Sequence, residues 1–346
     1  MVNLTKGEIA LYDRQIRLWG FEAQHRIRSS HILVINFSCV GAEIVKNLVL
    51  GGLGFLTIID SGKILEQDLS GNFFFDVSLL GCSKLDSTVK ERIQELNPRV
   101  DIVTDTCTWA EKSQAWFNRF DIIICTEFDA TQIESISRTS RSLNIPLYVV
   151  NTHGLYGMIF VDLIDHSSHL RLAKNRIRRK PGRSNSVREI VHVEEKTEND
   201  VEYEDCLIQN YYTSFDRILE KPKLKEFFPT MKKLNKIDST LIVLLGCLKI
   251  PTSYNYPIGT VQVTKLELLE FANEIARKLG LTSLDLNDLI LQDVARQFGC
   301  EFQPVAAILA GCLSQDVINM LSKRENPINN LLIFNGKKAE MPIYTI

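Results

Sequence analysis

Several things are missing from this 346-residue sequence, and each absence removes a class of function. Its eight cysteines stand singly, with no C-x-x-C pair, which excludes a zinc ribbon. Several fall in apolar stretches and read as reduced core residues of an intracellular protein. None lies beside an activating histidine or a cationic turn, so none stands out as a nucleophile. The six histidines have no H-x-x-x-H spacing, and metal ligation is not expected. Forty basic against 42 acidic residues leave a net charge of −2, which gives no field to attract nucleic acid or an anionic membrane. No apolar run reaches the roughly 18 residues of a membrane span. The first eleven residues lack the basic-then-apolar pattern of a secretory signal. What is left has the 45% hydrophobic and 24% charged content of a soluble globular protein, with room for two domains or one large α/β domain with insertions.

A further absence is local. Residues 31–48 read as strand, tight turn and helix, the pattern that carries G-x-G-x-x-G where backbone must approach a phosphate. Here the first two glycine positions are Asn36 and Ser38, and only Gly41 remains. The retained glycine is the one that packs helix on strand. The sequence therefore keeps the fold signal and loses the phosphate-approach signal.

Apolar and polar periodicity predicts a helix over residues 8–28, strands over 32–36, 55–60, 100–104, 120–126 and 146–151, and helices over 42–50, 84–96 and 131–143. Continuously apolar strands alternating with helices imply a Rossmann-like, mostly parallel sheet covered on both faces. Residues 156–163 read as another strand, with an antiparallel placement allowed. From 171 to 183 there are seven Lys/Arg and no acid; from 194 to 205 there are seven acids and one lysine. Adjacent blocks of opposite sign read as a solvated, mobile loop. A polar-faced helical stretch over 211–248, helices over 264–279, 286–298 and 302–321, and a strand over 330–335 complete the pass. The expected division is residues 1–163, an inserted charged and helical segment over 164–295, and a closing helix and strand over 296–346.

Four stretches then point to one family. The run Tyr12-Asp13-Arg14-Gln15-Ile16-Arg17-Leu18-Trp19-Gly20 resembles the N-terminal helix of the enzymes that activate ubiquitin and its relatives, the ThiF/MoeB-like adenylation family. Gly41-Ala42-Glu43-Ile44 follows at the matching distance, Asp121-Ile122-Ile123-Ile124 with Asp129 resembles a later strand and acid, and Pro304 to Gly311 with Gln315 resembles the late packing helix. Within that family the chain is similar to the non-thioester subunits of heterodimeric SUMO-activating enzymes. The resemblance implies a regulatory half that supports ATP-dependent adenylation and thioester transfer of SUMO by a catalytic thioester subunit, its obligate partner. ATP and Mg2+ would lie in that partner's site, and neither nucleic acid nor membrane would be a partner.

Departures from the family pattern imply a dismantled pocket. Gly62 stands at the ribose-acid position and Gly71 at that of the phosphate-binding arginine, and no catalytic-cysteine domain has a counterpart. Lys84 aligns with a phosphate lysine, Asp129 with a magnesium acid, and Asn72 with a residue of the polar run. Read from local sequence alone, Lys84 is a first-turn surface lysine, Asp129 a helix cap and Asn72 a turn residue. Arg14 is the candidate to reach the partner's ATP in trans, with Arg17 second; spacing alone equally allows solvated arginines paired with Asp13 and Glu22. The alternative function is a self-sufficient adenylyltransferase for a ubiquitin-like or sulfur-carrier protein; an NAD-dependent oxidoreductase is weakened by the broken turn. The basic run over 174–183 has the composition of a nuclear import signal, so the expected location is the nucleus with some cytoplasmic protein.

Overall fold

The structure, a computed structural model, describes residues 4–174, 178–198, 201–234, 236–251, 262–281 and 286–346. Residues 175–177 of the basic run and 199–200 of the acidic block lie outside the described residues.

Five parallel strands form the centre: β1 (His31–Ile35), β2 (Phe55–Ile59), β3 (Asp101–Asp105), β4 (Ile122–Thr126) and β5 (Leu147–His153). β6 (Tyr156–Asp162) returns antiparallel to β5. A second sheet holds β7 (Asp165–Ala173), β8 (Gly182–Asn185), β9 (Arg188–Glu198) and β10 (Val201–Tyr211) in the order β7-β10-β9-β8. β11 (Leu331–Asn335) and β12 (Ile343–Tyr344) then extend the first sheet, whose order is β12-β11-β6-β5-β4-β1-β2-β3.

The helices are α1 (Lys6–Leu11), α2 (Asp13–Trp19), α3 (Phe21–Ser29), α4 (Cys39–Leu50), α5 (Ser87–Leu96), α6 (Gln114–Phe117) and α7 (Ala130–Leu143). After the second sheet come α8 (Phe215–Ile218), α9 (Leu224–Phe227), α10 (Met231–Leu234), α11 (Ser239–Cys247), α12 (Lys265–Leu279), α13 (Asp288–Gln297) and α14 (Gln303–Ser322). Alternation along β1 separates two cores. Ile32 and Val34 pack with residues of α4, α5 and α14, while Leu33 and Ile35 pack with residues of α7, α11, α12 and α13. Apolar side chains on both faces explain the unbroken apolar strands.

Four sequence expectations are corrected. The single N-terminal helix is three, broken at Tyr12 and at Gly20, whose φ of +89° is accessible to glycine and costly for other residues. The acidic block does not form a loop: residues 194–198 lie on β9 and 201–205 on β10. Of the basic block, Arg171 lies on β7 and Arg183 on β8, while Lys174 and residues 178–181 lie outside any helix or strand. Arg171 meets Asp205 at 3.1 Å on the neighbouring strand and Glu198 at 2.8 Å one strand beyond, and Lys196 meets Asp205 at 2.9 Å. Leu170, Cys206 and Ile208 form a small core on one face of this sheet. Counting net sign along the chain hid a register that places opposite charges side by side. The polar-faced helix over 211–248 is the end of β10, three short helices and α11, whose nine residues are all buried between the sheet and α12. Finally, α14 has 20 residues and a mean hydropathy of 1.5, enough by length and composition to cross a membrane; 56% of it is buried inside the fold, against α4 and β6.

Leu309 of α14 is fully buried in the core shared with α4. Leu309→Ala should cost about 2–5 kcal/mol, seen as a lower urea midpoint at unchanged m-value. A midpoint near wild type would show that α14 does not seal this core.

Candidate functional site

The chain passes from β1 into α4 beyond the carboxyl ends of the strands, where the strand order reverses between β1 and β4. Open α/β sheets bind ligands in this crevice. Asn36 occupies the first glycine position with φ +68°. Asparagine tolerates this left-handed conformation, so the turn keeps its backbone shape while gaining a side chain. That side chain donates from Nδ2 to the Thr126 carbonyl at 2.8 Å, and Thr126 Oγ1 donates to the Asn36 carbonyl at 3.0 Å. Ser38 Oγ donates to Thr126 Oγ1 at 2.8 Å and accepts from the Gly41 N–H at 3.1 Å, capping α4. A Cβ on Gly41 would lie 2.7 Å from the Asn36 carbonyl oxygen, so close approach to the turn itself requires this glycine.

Under the turn, Asp60 accepts from the Phe37 N–H at 2.6 Å and the Gly62 N–H at 2.7 Å. Asn72 Nδ2 donates to the Phe37 carbonyl at 3.4 Å, and its Oδ1 accepts from the Phe74 N–H at 3.1 Å. Lys84 is not on a helix surface: α5 begins at Ser87 behind the Asp86 cap. It is buried with its Nζ 3.3 Å from Asp68 Oδ1. Asp129 caps α7, accepting from the Gln132 N–H at 3.0 Å and from Thr131 Oγ1 at 2.6 Å. Asp129 is thus the helix cap that its local reading expected, Asn72 sits beside the turn, and Lys84 is buried where the local reading expected a surface lysine.

At the N-terminus of α4, the Cys39 N–H donates to Glu301 Oε2 at 3.0 Å. Glu301 lies on the strap between α13 and α14. Gly154 N–H donates to the Cys300 carbonyl at 2.8 Å, Leu155 N–H to Gln297 Oε1 at 2.8 Å, and Gly299 N–H to His153 Nδ1 at 3.2 Å. The His153 ring stacks on Phe298 at 4.9 Å, and burial holds it down to about 4, so it is neutral and can accept. Glu127 accepts from the Thr152 N–H at 3.1 Å and from Thr152 Oγ1 at 2.6 Å. Burial, then the charge of Glu301, pushes Glu127 up to about 8. Burial also raises Glu301, against the pull of the Lys84 ammonium and the Cys39 N–H. Glu127 therefore keeps its proton into the neutral range, and Glu301 is the member of the pair that faces Lys84 and the Cys39 N–H. Burial, with Glu301 close by, pushes the Cys39 thiol up, and its Sγ donates to the Gly71 carbonyl at 3.0 Å.

Sequence reasoning missed Glu301 and Glu127. Glu127 directly follows β4, a position from which such sheets present side chains; nothing around Glu301 marks it. Arg14 and Arg17 lie elsewhere, on α2, both exposed. Arg17 pairs with Asp13 at 2.9 Å, whereas Arg14 has no ion pair among the described residues. The solvent side of α14 presents Ile308, Gly311 and Gln315, and Leu18 is 74% exposed at the end of α2. A groove of about 910 Å³ runs between Leu18, Trp19, Ile318 and the strands bearing Arg171 and His192.

The sequence profile of the ThiF family matches residues 12–346. The DNA damage tolerance protein RHC31 of Saccharomyces cerevisiae is 36% identical over 345 residues, covering 99% of this chain and 98% of the relative. The DNA damage tolerance protein rad31 of Schizosaccharomyces pombe is 31% identical, covering 99% of each. The Homo sapiens SUMO-activating enzyme subunit 1 is 28% identical over 353 residues, covering 97% of this chain and 94% of the relative. In fold, the crystal structure of PaaA matches with a TM-score of 0.57 at 14% identity, covering 100% of this chain and 85% of PaaA.

Two outcomes follow from this geometry. Gly41→Ala should destabilise by about 1–3 kcal/mol, measured by thermal unfolding; an unchanged melting temperature would place α4 farther from the turn. Because the folded state keeps the Glu127 proton up to about pH 8 while the unfolded chain loses it near 4.5, this group lowers stability as pH rises between those values. Glu127→Gln should therefore gain on wild type between pH 5 and pH 8 in urea unfolding. A constant difference across that range would contradict a protonated Glu127.

Proposed function

Since the chain belongs to the ThiF family, we propose that it is the non-thioester half of a heterodimer that activates SUMO. In this reading the partner subunit holds ATP and Mg2+ and forms the thioester, while this chain supplies an interface and one arginine. The observation that carries the reading is the filled turn. Asn36 and Ser38 put side chains where a phosphate needs bare backbone, and both are tied to Thr126. The residues around the turn do not suit a polyphosphate: Asp60, Asp68 and Glu127 lie within electrostatic reach of Glu301, and the Lys84 ammonium already faces Asp68. Asn72 and Asp129 then hold the chain's own backbone, and Lys84 holds the Asp68 carboxylate. Burial pushes up the thiols of Cys39, Cys125, Cys206, Cys247, Cys300 and Cys312, which suits none of them for thioester chemistry.

The names of the relatives support the SUMO assignment, and the exposed apolar side of α14 beside α2 suits a protein partner. Adenylation is the attack of a C-terminal glycine carboxylate on the α-phosphate with loss of pyrophosphate. Negative charge grows on the phosphates, and a guanidinium delivered from the neighbouring subunit offsets it. Arg14 fits that role better than Arg17, because Asp13 already holds Arg17. Nuclear import through residues 174–183 remains part of the proposal, although Lys174, Arg178 and Arg179 are engaged by carboxylates.

The test is ATP–pyrophosphate exchange by the purified heterodimer with SUMO. Arg14→Ala should slow exchange by about 10²-fold while the heterodimer elutes unchanged, and Arg17→Ala should stay near wild type. Unaltered exchange in Arg14→Ala rejects the arginine. Exchange by this chain without a partner would favour a self-sufficient adenylyltransferase.

A further inference from the structure

We propose that Glu301 is a built-in anion that occupies the phosphate cradle of this chain and keeps nucleotide out of it. This rests on the reading that nucleotide is held by the partner, and adds what closes the site on this side. The side chains of Asn36 and Ser38 fill the turn and are tied to Thr126, and the first N–H of α4 takes its acceptor from elsewhere in the chain. The N-terminus of α4, a 12-residue helix, still directs the Cys39 N–H outward, and the group it meets is Glu301 at 3.0 Å. The start of a helix carries a partial positive charge and favours one anion within its first turn. A carboxylate delivered by the same chain takes that place without loss of a free partner's translational freedom.

The delivery is rigid. The strap carrying Glu301 is fastened to the β5–β6 turn through Gly154, Leu155 and His153, and Phe298 stacks on the His153 ring. Lys84 faces Glu301 electrostatically, so the lysine position of a phosphate site serves a carboxylate here. A free phosphate would have to displace Glu301 and then lie among Asp60, Asp68 and Glu127. Removing the carboxylate alone should expose the N–H and leave Lys84 with one acidic neighbour fewer. That predicts a gain of binding, which a residue serving only to pack the strap would not give.

The experiment titrates inorganic phosphate, and then ATP, into the full-length wild-type chain and into Glu301→Ala, following thermal unfolding and calorimetric binding. Wild type should show no saturable phosphate binding. Glu301→Ala should melt lower, recover towards wild type as phosphate is added, and bind phosphate at least tenfold more tightly than wild type. No gain in the variant, or equal binding by both proteins, overturns the proposal. Should the variant fail to fold, the Cys39 amide resonance of wild type decides: it should stay in place as phosphate or ATP is added, and a saturable shift overturns the assignment. These readouts use the chain without its partner, so a failed Arg14 experiment on the heterodimer leaves them standing, and the reverse holds too.

Discussion

A helix that begins inside a protein must find partners for its first N–H groups, and much of this molecule is arranged around that need at α4. Ser38 takes the Gly41 N–H from within the turn. Glu301 takes the Cys39 N–H from some 260 residues further along the chain. Asp60 takes the Phe37 N–H just ahead of the helix. Buried backbone donors left without acceptors would each be costly. With these three in place, β1, β2, α4 and the strap before α14 are bound into one unit at the centre of the sheet.

The positions at which a nucleotide-binding relative would contact its ligand have not become featureless. Asn72 steadies the Phe37 carbonyl, Lys84 neutralises Asp68 and Asp129 starts α7. Polar groups at the mouth of a sheet are held in place where they find each other. Their cost is visible in Glu127, which holds a proton near neutrality because it is buried and, beyond that, because a second carboxylate shares its enclosure.

The central sheet was legible because its strands are apolar throughout and its helices are not. That contrast of period is local, and burial on both faces enforces it. The helix over 264–279 was legible for the same local reason, and in the structure α12 begins behind the Thr264 cap and ends at Gly280. The small charged sheet was not, since its cohesion depends on which acid lies across from which base, a property of register. α11 was misread because a helix enclosed on every side has no polar face to show. Of the candidate site, the altered turn was plain in the sequence. Glu301 was hidden because its role arises only when the chain returns to the start of α4. The mature reading of Lys84 required knowing that its helix starts three residues later.

The pairing of the two charged strands also bears on how such a chain can change over generations. Arg171 answers to Asp205 and Glu198, and Lys196 to Asp205 as well. A sign reversal at any one of these would set like charges against each other, across one strand spacing of about 5 Å for the pairs with Asp205 and across two for Arg171 and Glu198. Descendants should therefore exchange these residues as a group, or keep them all, so that the column of one alignment position carries a memory of the others.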